Sequence, residues 1–292
     1  MFSVQSHRGK YCCSITSRIP KKDFVDSFLI IDSNILRMYP HLINLVEEGR
    51  VVSVSACENN KTLSYCTSVI NTLIKLGFKK NQNLVAVGGG ITQDVTSFVA
   101  SIIFRGVEWR FIPTTLLAQA DSCIGSKTSI NFSNIKNMIG TFYPPTKIWC
   151  DETFLKTLTP DDIKSGIGEI LHYYLIVDHP LAKTLSKTNS FSKHIKASLM
   201  IKRDVVTRDE FDKGERKVFN YGHTFGHAIE AMSDYKVNHG LAVTLGMHIA
   251  NYISYKLGLI GQEDYEYLQS LIEFNLPDFS IETRVDEYFE IL

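Results

Sequence analysis

The chain has 292 residues, 44% hydrophobic and 21% charged, and its 31 basic and 31 acidic side chains cancel. That suits one large or two moderate globular domains with an ample core, and a neutral chain has no bulk attraction for nucleic acid or an anionic membrane, so an anionic small molecule must be met by a local cluster. No run approaches the ~18 apolar residues of a membrane span, the opening "MFSVQSHRGKYCC" has no apolar leader segment, and six scattered cysteines without a CxxC pair predict reduced thiols in a cytoplasmic protein.

In chain order, "SFLIIDS" (27–33), "RVVSVSA" (50–56), "NLVAVGGG" (83–90), "EWRFIPTT" (108–115) and "TKIWCD" (146–151) read as short strands rich in β-branched residues. Helical patterns at 61–77 and 93–104 lie between them. In the first, Leu63, Cys66, Val69, Ile70, Leu73 and Leu76 share a face, and Gly77 stops the helix. Strands alternating with helices predict an α/β domain on a parallel sheet covered on both faces. From about residue 152 only helical periodicity remains, at 160–177, 192–211, 217–233, 239–257 and 262–274. The expected division is therefore an α/β domain over 1–150 and an all-α domain over 151–292.

Several stretches carry chemistry. "VAVGGGITQDVTSF" (85–98) runs a strand through three glycines into a helix, where free N–H groups and the helix dipole suit a phosphate; the alternative is a tight strand–helix turn, and GxGxxG is absent. Asp32 ends a strand, as a ribose-binding acid does, but reads first as a helix cap. "CIGSKTSINFSNIKNMIGTFYPP" (123–145) reads as a loop that sets Lys127, Lys136 and Asn137 among small residues, apt for an oxyanion. Glu169 interrupts an apolar helix and has to be paired or metal-bound to stay charged, with His172 three residues on. His223 and His227, four apart in "NYGHTFGHAIE" (220–230), and His239 complete a set of nitrogen and oxygen ligands for a divalent metal.

Together, "VGGGITQD", "RGVEWRFIPTTLLAQADSCIGSKTSIN", "KNMIGTFYPP", "FLKTL", "GEILHYYLI" and "RKVFNYGHTFGHAIE" resemble, collinearly from about 27 to about 258, the 3-dehydroquinate synthase family of sugar-phosphate cyclases. The resemblance implies a Rossmann-like NAD domain, a helical metal domain and a homodimer. It implies cofactor positions at Asp32, Glu58, Lys61, Gly89, Gly90, Asp94, Thr114, Thr115, Lys136, Phe154 and Thr157. It implies Zn2+ or Co2+ on Glu169, His223 and His239. Substrate positions are Arg105, Lys127, Asn137, His172, Lys202, Arg216, Asn220 and His227, with Asp121, Lys127, Lys202 and His227 in the chemistry. Lys136 also borders the substrate region. Arg105 matches an arginine that reaches the neighbouring subunit's site. The implied activity is that of a carbon–oxygen lyase acting on phosphates in aromatic amino acid biosynthesis: a hydroxyl is oxidised, phosphate is eliminated, the ketone is re-reduced, and ring opening with aldol closure gives a carbocycle. His227 is expected to face the substrate, and Asn220 to share one helix with His223.

Three departures from the family pattern stand out. His172 replaces a lysine, Leu241 in "HGLAV" replaces an acid beside a metal ligand, and the tail "IETRVDEYFEIL" matches no substrate-lysine segment. These departures suit a cyclase acting on another sugar phosphate, such as a heptulose 7-phosphate, or a non-catalytic relative. A metal-dependent polyol dehydrogenase is the remaining alternative, and a phosphate-type cluster has no use there.

Overall fold

The computed structural model describes residues 1–133, 135–233 and 236–277; the tail segment 281–292 lies outside them. The chain divides into two compact units, Met1–Lys156 and a second beginning at Thr157.

The first unit is built on a seven-stranded sheet. Its strands are β1 (Phe2–Ser6), β2 (Gly9–Ile15), β3 (Ser27–Asp32), β4 (Val51–Val54), β5 (Asn83–Gly88), β6 (Trp109–Pro113) and, last in sequence, β9 (Lys147–Cys150). Their order is β1-β2-β9-β6-β5-β3-β4, and every neighbouring pair is parallel except β1 with β2. The central strands read as unbroken apolar runs because both faces are covered: Phe28, Leu29, Ile30 and Ile31 of β3 are all buried. On one face Leu29, Ile31, Val85, Val87, Ile112 and Trp149 pack with Ile35 of α1 (Ser33–Met38) and with Phe154. Helices α2 (Leu63–Lys75) and α3 (Gly90–Ile102) contact β4 and β5. After β3 the chain turns to β4 on one side, then crosses back to β5 on the other. That reversal opens a crevice at the carboxyl ends of β3 and β5, the usual ligand position in such sheets.

Two features of this unit differ from the sequence expectation. The N-terminal residues form the β1–β2 hairpin and extend the sheet beside β9. The stretch expected as a loop at 123–145 is instead an antiparallel ladder of β7 (Lys127–Phe132) and β8 (Ile135–Phe142). Strand β8 has no buried residue along it, so it carries no apolar alternation to reveal a strand.

The second unit is helical: α4 (Pro160–Ile176), α5 (Ala182–Leu185), α6 (Ser192–Arg208), α7 (His223–Met232), α8 (His239–Lys256) and α9 (Gln262–Ile272). Thr159 caps α4 by accepting from Asp162 N, and Pro160 opens it. The expected single helix over 217–233 is corrected to two. A 3-10 segment, Glu215–Asn220, ends before Gly222, whose φ of 76° is left-handed and starts α7 at His223. Asn220 and His223 therefore sit on different elements. Among the described residues no helix is long and apolar enough to cross a membrane.

Candidate functional site

Each unit gathers part of the expected site. In the first, the turn from β5 into α3 is shaped for an anion. A Cβ on Gly88 would run into the Thr92 side chain, so strand and helix approach closely, whereas one on Gly90 would meet nothing within 4 Å. Gly89 is the N-cap of α3 and has no side chain to cap the first-turn N–H groups, which leaves them to a ligand or water. Thr114 donates its N–H to the Gly88 carbonyl at 2.9 Å, and its own buried hydroxyl has no hydrogen-bond partner among the described residues. Thr115 accepts from Ala118 N. At the end of β3, Asp32 caps α1 by accepting from Asn34 N at 2.9 Å, as its sequence context suggests, and burial raises its pKa. Phe154 is part of the core, its ring 5.1 Å from that of Tyr39. Thr157 falls in the second unit.

Beside this turn the β7–β8 ladder delivers a charged network. Lys61, 7% exposed, sets its ammonium 2.7 Å from Asp94 and donates to Asn137 Oδ1 at 2.5 Å. Burial nonetheless pushes the Asp94 carboxyl above its ordinary value. Glu58 accepts from Asn131 Nδ2 at 2.8 Å, and Lys136 lies 4.0 Å from the same Glu58 oxygen. Asn131 Oδ1 in turn accepts from Asn137 N, whose φ is 56°. Asn131 was not anticipated; its alternation with Ser129 within β7 is the signal that could have revealed it. Lys127 is exposed at the start of β7. Arg105 is exposed too, on a turn where it and Phe104 both take positive φ, 65° and 50°. Two consecutive bulky residues in that region are held there by tertiary context. Asp121, in the helical turn Ala118–Ser122, is half-buried. An open glycine turn, an uncapped helix start and an orphaned buried hydroxyl fit a dinucleotide. Replacing Lys61 by Met removes one charged donor, and NAD affinity, followed by calorimetric titration, is expected to fall about 10- to 100-fold.

In the second unit three ligand atoms converge. Glu169 on α4 is 2% exposed, and its Oε1 lies 3.5 Å from His223 Nε2 and 3.1 Å from His239 Nε2. These are close to the ~3.4 Å edges of a tetrahedron with zinc–nitrogen and zinc–oxygen bonds near 2.1 Å. Glu169 Oε1 has no hydrogen bond of acceptable geometry, although it is buried. An orphaned carboxylate oxygen facing two imidazole nitrogens is what a cation satisfies. The other ring nitrogens are engaged: His223 Nδ1 lies 3.2 Å from the Tyr221 carbonyl and His239 Nδ1 3.0 Å from Glu230 Oε2. Donation through Nδ1–H leaves each Nε2 lone pair for a metal. Burial works against charge on Glu169, yet His223 and His239 hold its carboxyl well below the usual range. Burial likewise opposes the charged form of His239, but the Glu169 and Glu230 carboxylates beside it raise its pKa to about 10, so a bound cation takes the place of a proton on Nε2. The trio fits a divalent metal.

Glycines position these ligands. Gly168 precedes Glu169 and Gly240 follows His239, and the two backbones touch: a Cβ on Gly168 would collide with the Gly240 carbonyl, and one on Gly240 with the Ser165 carbonyl. The close crossing of α4 and α8 is what brings Glu169 and His239 together. Gly240 N also donates to Ser165 Oγ at 3.0 Å.

His227 does not join the trio. The residue is exposed, but the protein around its ring partly desolvates it; the ring lies 5.6 Å from that of His239 and 5.5 Å from that of His223, and this desolvation together with those two rings lowers its pKa. It is close to Glu230, but Glu230 already holds His239 Nδ1. His172 is fully buried, 3.9 Å from Glu169 Oε2, with its ring edge-on to that of His223 at 4.8 Å. The structure thus sets His172 behind a ligand, with no exposed surface. Lys202 on α6 and Arg216 are each 6% exposed. Arg216 Nη1 donates to the Glu210 carbonyl at 2.7 Å. Asp209 organises this turn by accepting from Lys213, Arg216 and Gly214 N–H groups, which hold its carboxyl at about 2. Asn220 ends the 3-10 segment, which packs against α4, α6 and α7. Leu241, in place of the expected acid, is 3% exposed among Ile229, Val237 and Ala242; a carboxylate there would be buried in an apolar seam.

Glu230 and Asp209 carry little sequence signal of these contacts. Glu230 lies seven residues after His223, two turns along the same helix, and that spacing is its only signal. Glu230→Gln keeps the shape but weakens the hold on His239. Metal affinity, measured by competition with a chelator, is expected to drop about 10- to 100-fold.

Comparison with known proteins agrees across the chain. Residues 51–165 match the family model described as 3-dehydroquinate synthase N-terminal, and 166–292 that described as 3-dehydroquinate synthase C-terminal. A 3-dehydroquinate synthase of Dictyoglomus turgidum is 40% identical over 281 residues, covering 92% of this chain and 78% of the relative. A 2-deoxy-scyllo-inosose synthase, solved with carbaglucose-6-phosphate, NAD+ and Co2+, superposes with TM-score 0.88 at 26% identity, covering 99% of this chain and 87% of that one. A 2-epi-5-epi-valiolone synthase from Streptomyces hygroscopicus, solved with NAD+ and Zn2+, shares the fold at TM-score 0.84 and 21% identity, covering 96% of this chain and 85% of that one.

Proposed function

The chain belongs to the 3-dehydroquinate synthase family, and we propose that it is a sugar-phosphate cyclase converting a heptulosonate 7-phosphate to a carbocycle with loss of phosphate. The observation that carries this is the Glu169–His223–His239 trio, with its orphaned carboxylate oxygen, in a chain that also holds an anion-shaped β5–α3 turn. When bound, NAD supplies a hydride acceptor and donor, and a divalent metal supplies Lewis acidity for the reacting oxygens.

The chain's own residues do the rest. Gly89, Gly90 and the start of α3 receive the dinucleotide pyrophosphate. Asp32, Glu58, Lys61, Asp94, Thr114, Thr115, Lys136, Phe154 and Thr157 complete the cofactor contacts. Glu169, His223 and His239 hold Zn2+ or Co2+. Lys127, Asn137, Asn220 and Arg105 bind the phosphate, Arg105 from the neighbouring subunit of a homodimer. Arg216 offers a planar fork to the carboxylate. His227 has its pKa lowered, which favours the neutral imidazole that can accept a substrate proton. Asp121 and Lys202 orient the reacting hydroxyls. The setting is the cytoplasm, where the six cysteines, all free here, stay reduced.

A second reading, cyclisation of a substrate without a carboxylate such as a heptulose 7-phosphate, is favoured by His172, which is buried where the family pattern has a lysine. Phosphate release from a panel of heptulosonate, heptulose and hexose phosphates, with NAD and zinc present, separates the two. Preference for the heptulosonate supports the first. Release only from carboxylate-free sugars moves the assignment to the second. Release from none overturns both.

A further inference from the structure

Three cysteines with no part in the proposed chemistry converge inside the first unit. Cys13 lies on β2, Cys150 ends the adjacent parallel strand β9, and Cys123 follows the helical turn Ala118–Ser122. All are at most 1% exposed, and their sulfurs lie within 4.8 Å of one another. The sheet register builds the convergence. Cys13 stands opposite Ile148 and Ile15 opposite Cys150, so both cysteines project from one face, offset by two residues.

Three of the distances among these atoms match the edges of a coordination shell, and every sulfur pair lies within 4.8 Å. Cys13 Sγ is 3.8 Å from Cys150 Sγ. The main-chain oxygen of Gln119 is 3.6 Å from Cys123 Sγ and 3.8 Å from Cys150 Sγ. A tetrahedral zinc with bonds of about 2.3 Å to sulfur and about 2.1 Å to oxygen has sulfur–sulfur edges of ~3.8 Å and sulfur–oxygen edges of ~3.6 Å. Charge favours the same ion: three thiolates around a dication leave one net negative charge in an apolar interior, where a monovalent cation leaves two. Hydrogen bonds from the Cys123 and Cys150 thiols lower the Cys13 pKa well below its ordinary value, while hydrogen bonding to Cys123 and Cys13, with burial, pushes that of Cys150 well above it, so the ion itself has to displace the Cys150 proton. The contrary expectation is that three buried cysteines simply pack as small apolar side chains.

We propose that Cys13, Cys123 and Cys150, with the Gln119 carbonyl, bind a structural zinc ion distinct from the Glu169–His223–His239 centre. Each thiol proton leaves to solvent as its zinc–sulfur bond forms. The ion ties the β1–β2 hairpin to β9 and to the segment that follows β6, which carries Thr114, Thr115 and Asp121. Because it closes in the folded interior, it is acquired during folding.

The test uses full-length protein carrying Cys12→Ser and Cys57→Ser, which removes the two thiols that are not buried, expressed with cobalt under reducing conditions. The expected result is about two cobalt ions per chain and a near-ultraviolet sulfur-to-cobalt charge-transfer band, which the carboxylate–imidazole centre has no sulfur to produce. Adding Cys123→Ser is expected to abolish the band and lower the content to about one ion per chain. A folded parent protein without the band overturns the proposal, whether or not the Cys123 variant folds, and so does a band that survives Cys123→Ser undiminished.

Discussion

Glu169→Gln is expected to empty the metal centre while leaving the protein folded. The substitution keeps the volume of a side chain that is 2% exposed but removes the negative charge facing His223 and His239 at 3.5 and 3.1 Å. A neutral amide is a poorer ligand for zinc or cobalt than a carboxylate. A Lewis acid contributes several kcal/mol to polarising a reacting oxygen. Phosphate release should therefore fall by about 10³-fold or more, equivalent to ~4 kcal/mol. Metal content after dialysis and phosphate release, measured on one preparation, check this together. A variant that retains stoichiometric metal would show that Glu169 is not a ligand.

The second large effect is expected from a residue with no functional group. Gly240→Ala places a methyl against the Ser165 carbonyl at the α4–α8 crossing. Backbone cannot yield there as a flexible side-chain tip can, so the helices have to separate. Overpacking of this kind costs about 1–3 kcal/mol or more, and for a unit of this size each kcal/mol lowers Tm by ~2–4 °C. His239 is the adjacent residue, so the displacement also pulls its Nε2 from Glu169. Thermal unfolding and zinc titration are expected to show both losses. At Gly261, the N-cap of α9, where a Cβ would meet only an Asp264 carboxylate oxygen at 3.9 Å, the same substitution should cost no more than the ~1 kcal/mol of a lost cap preference and leave zinc binding unchanged.

The sheet was legible because its strands are buried on both faces and announce themselves as apolar runs, as in "SFLIID" and "NLVAVG". The fold class followed from their alternation with amphipathic helices. What escaped notice has physical reasons. Strand β8 buries no residue and so has no alternation to detect. Edge strand β1 buries only Val4 and Ser6. The break at Gly222 hides inside a stretch whose apolar periodicity runs on through it. For the metal ligands, His223 and Glu169 invited suspicion as polar groups on apolar helices, but only the family resemblance separated His223 from His227. The structure gives a physical partner to that separation: His223 Nδ1 meets the Tyr221 carbonyl, turning Nε2 towards Glu169. The glycines beside Glu169 and His239, which position the ligands, look in sequence like ordinary helix glycines. The three converging cysteines are 110 and 27 positions apart in sequence (13 to 123, 123 to 150), too far for any spacing motif.

The central claim is a redox-neutral elimination and ring closure. It is tested most directly by following phosphate and NADH together, with heptulosonate 7-phosphate in large excess over enzyme and NAD. The account predicts many phosphates released per NAD present, no accumulating NADH, and a carbocyclic product. Steady accumulation of NADH without phosphate release would contradict it and assign the chain to a polyol dehydrogenase instead.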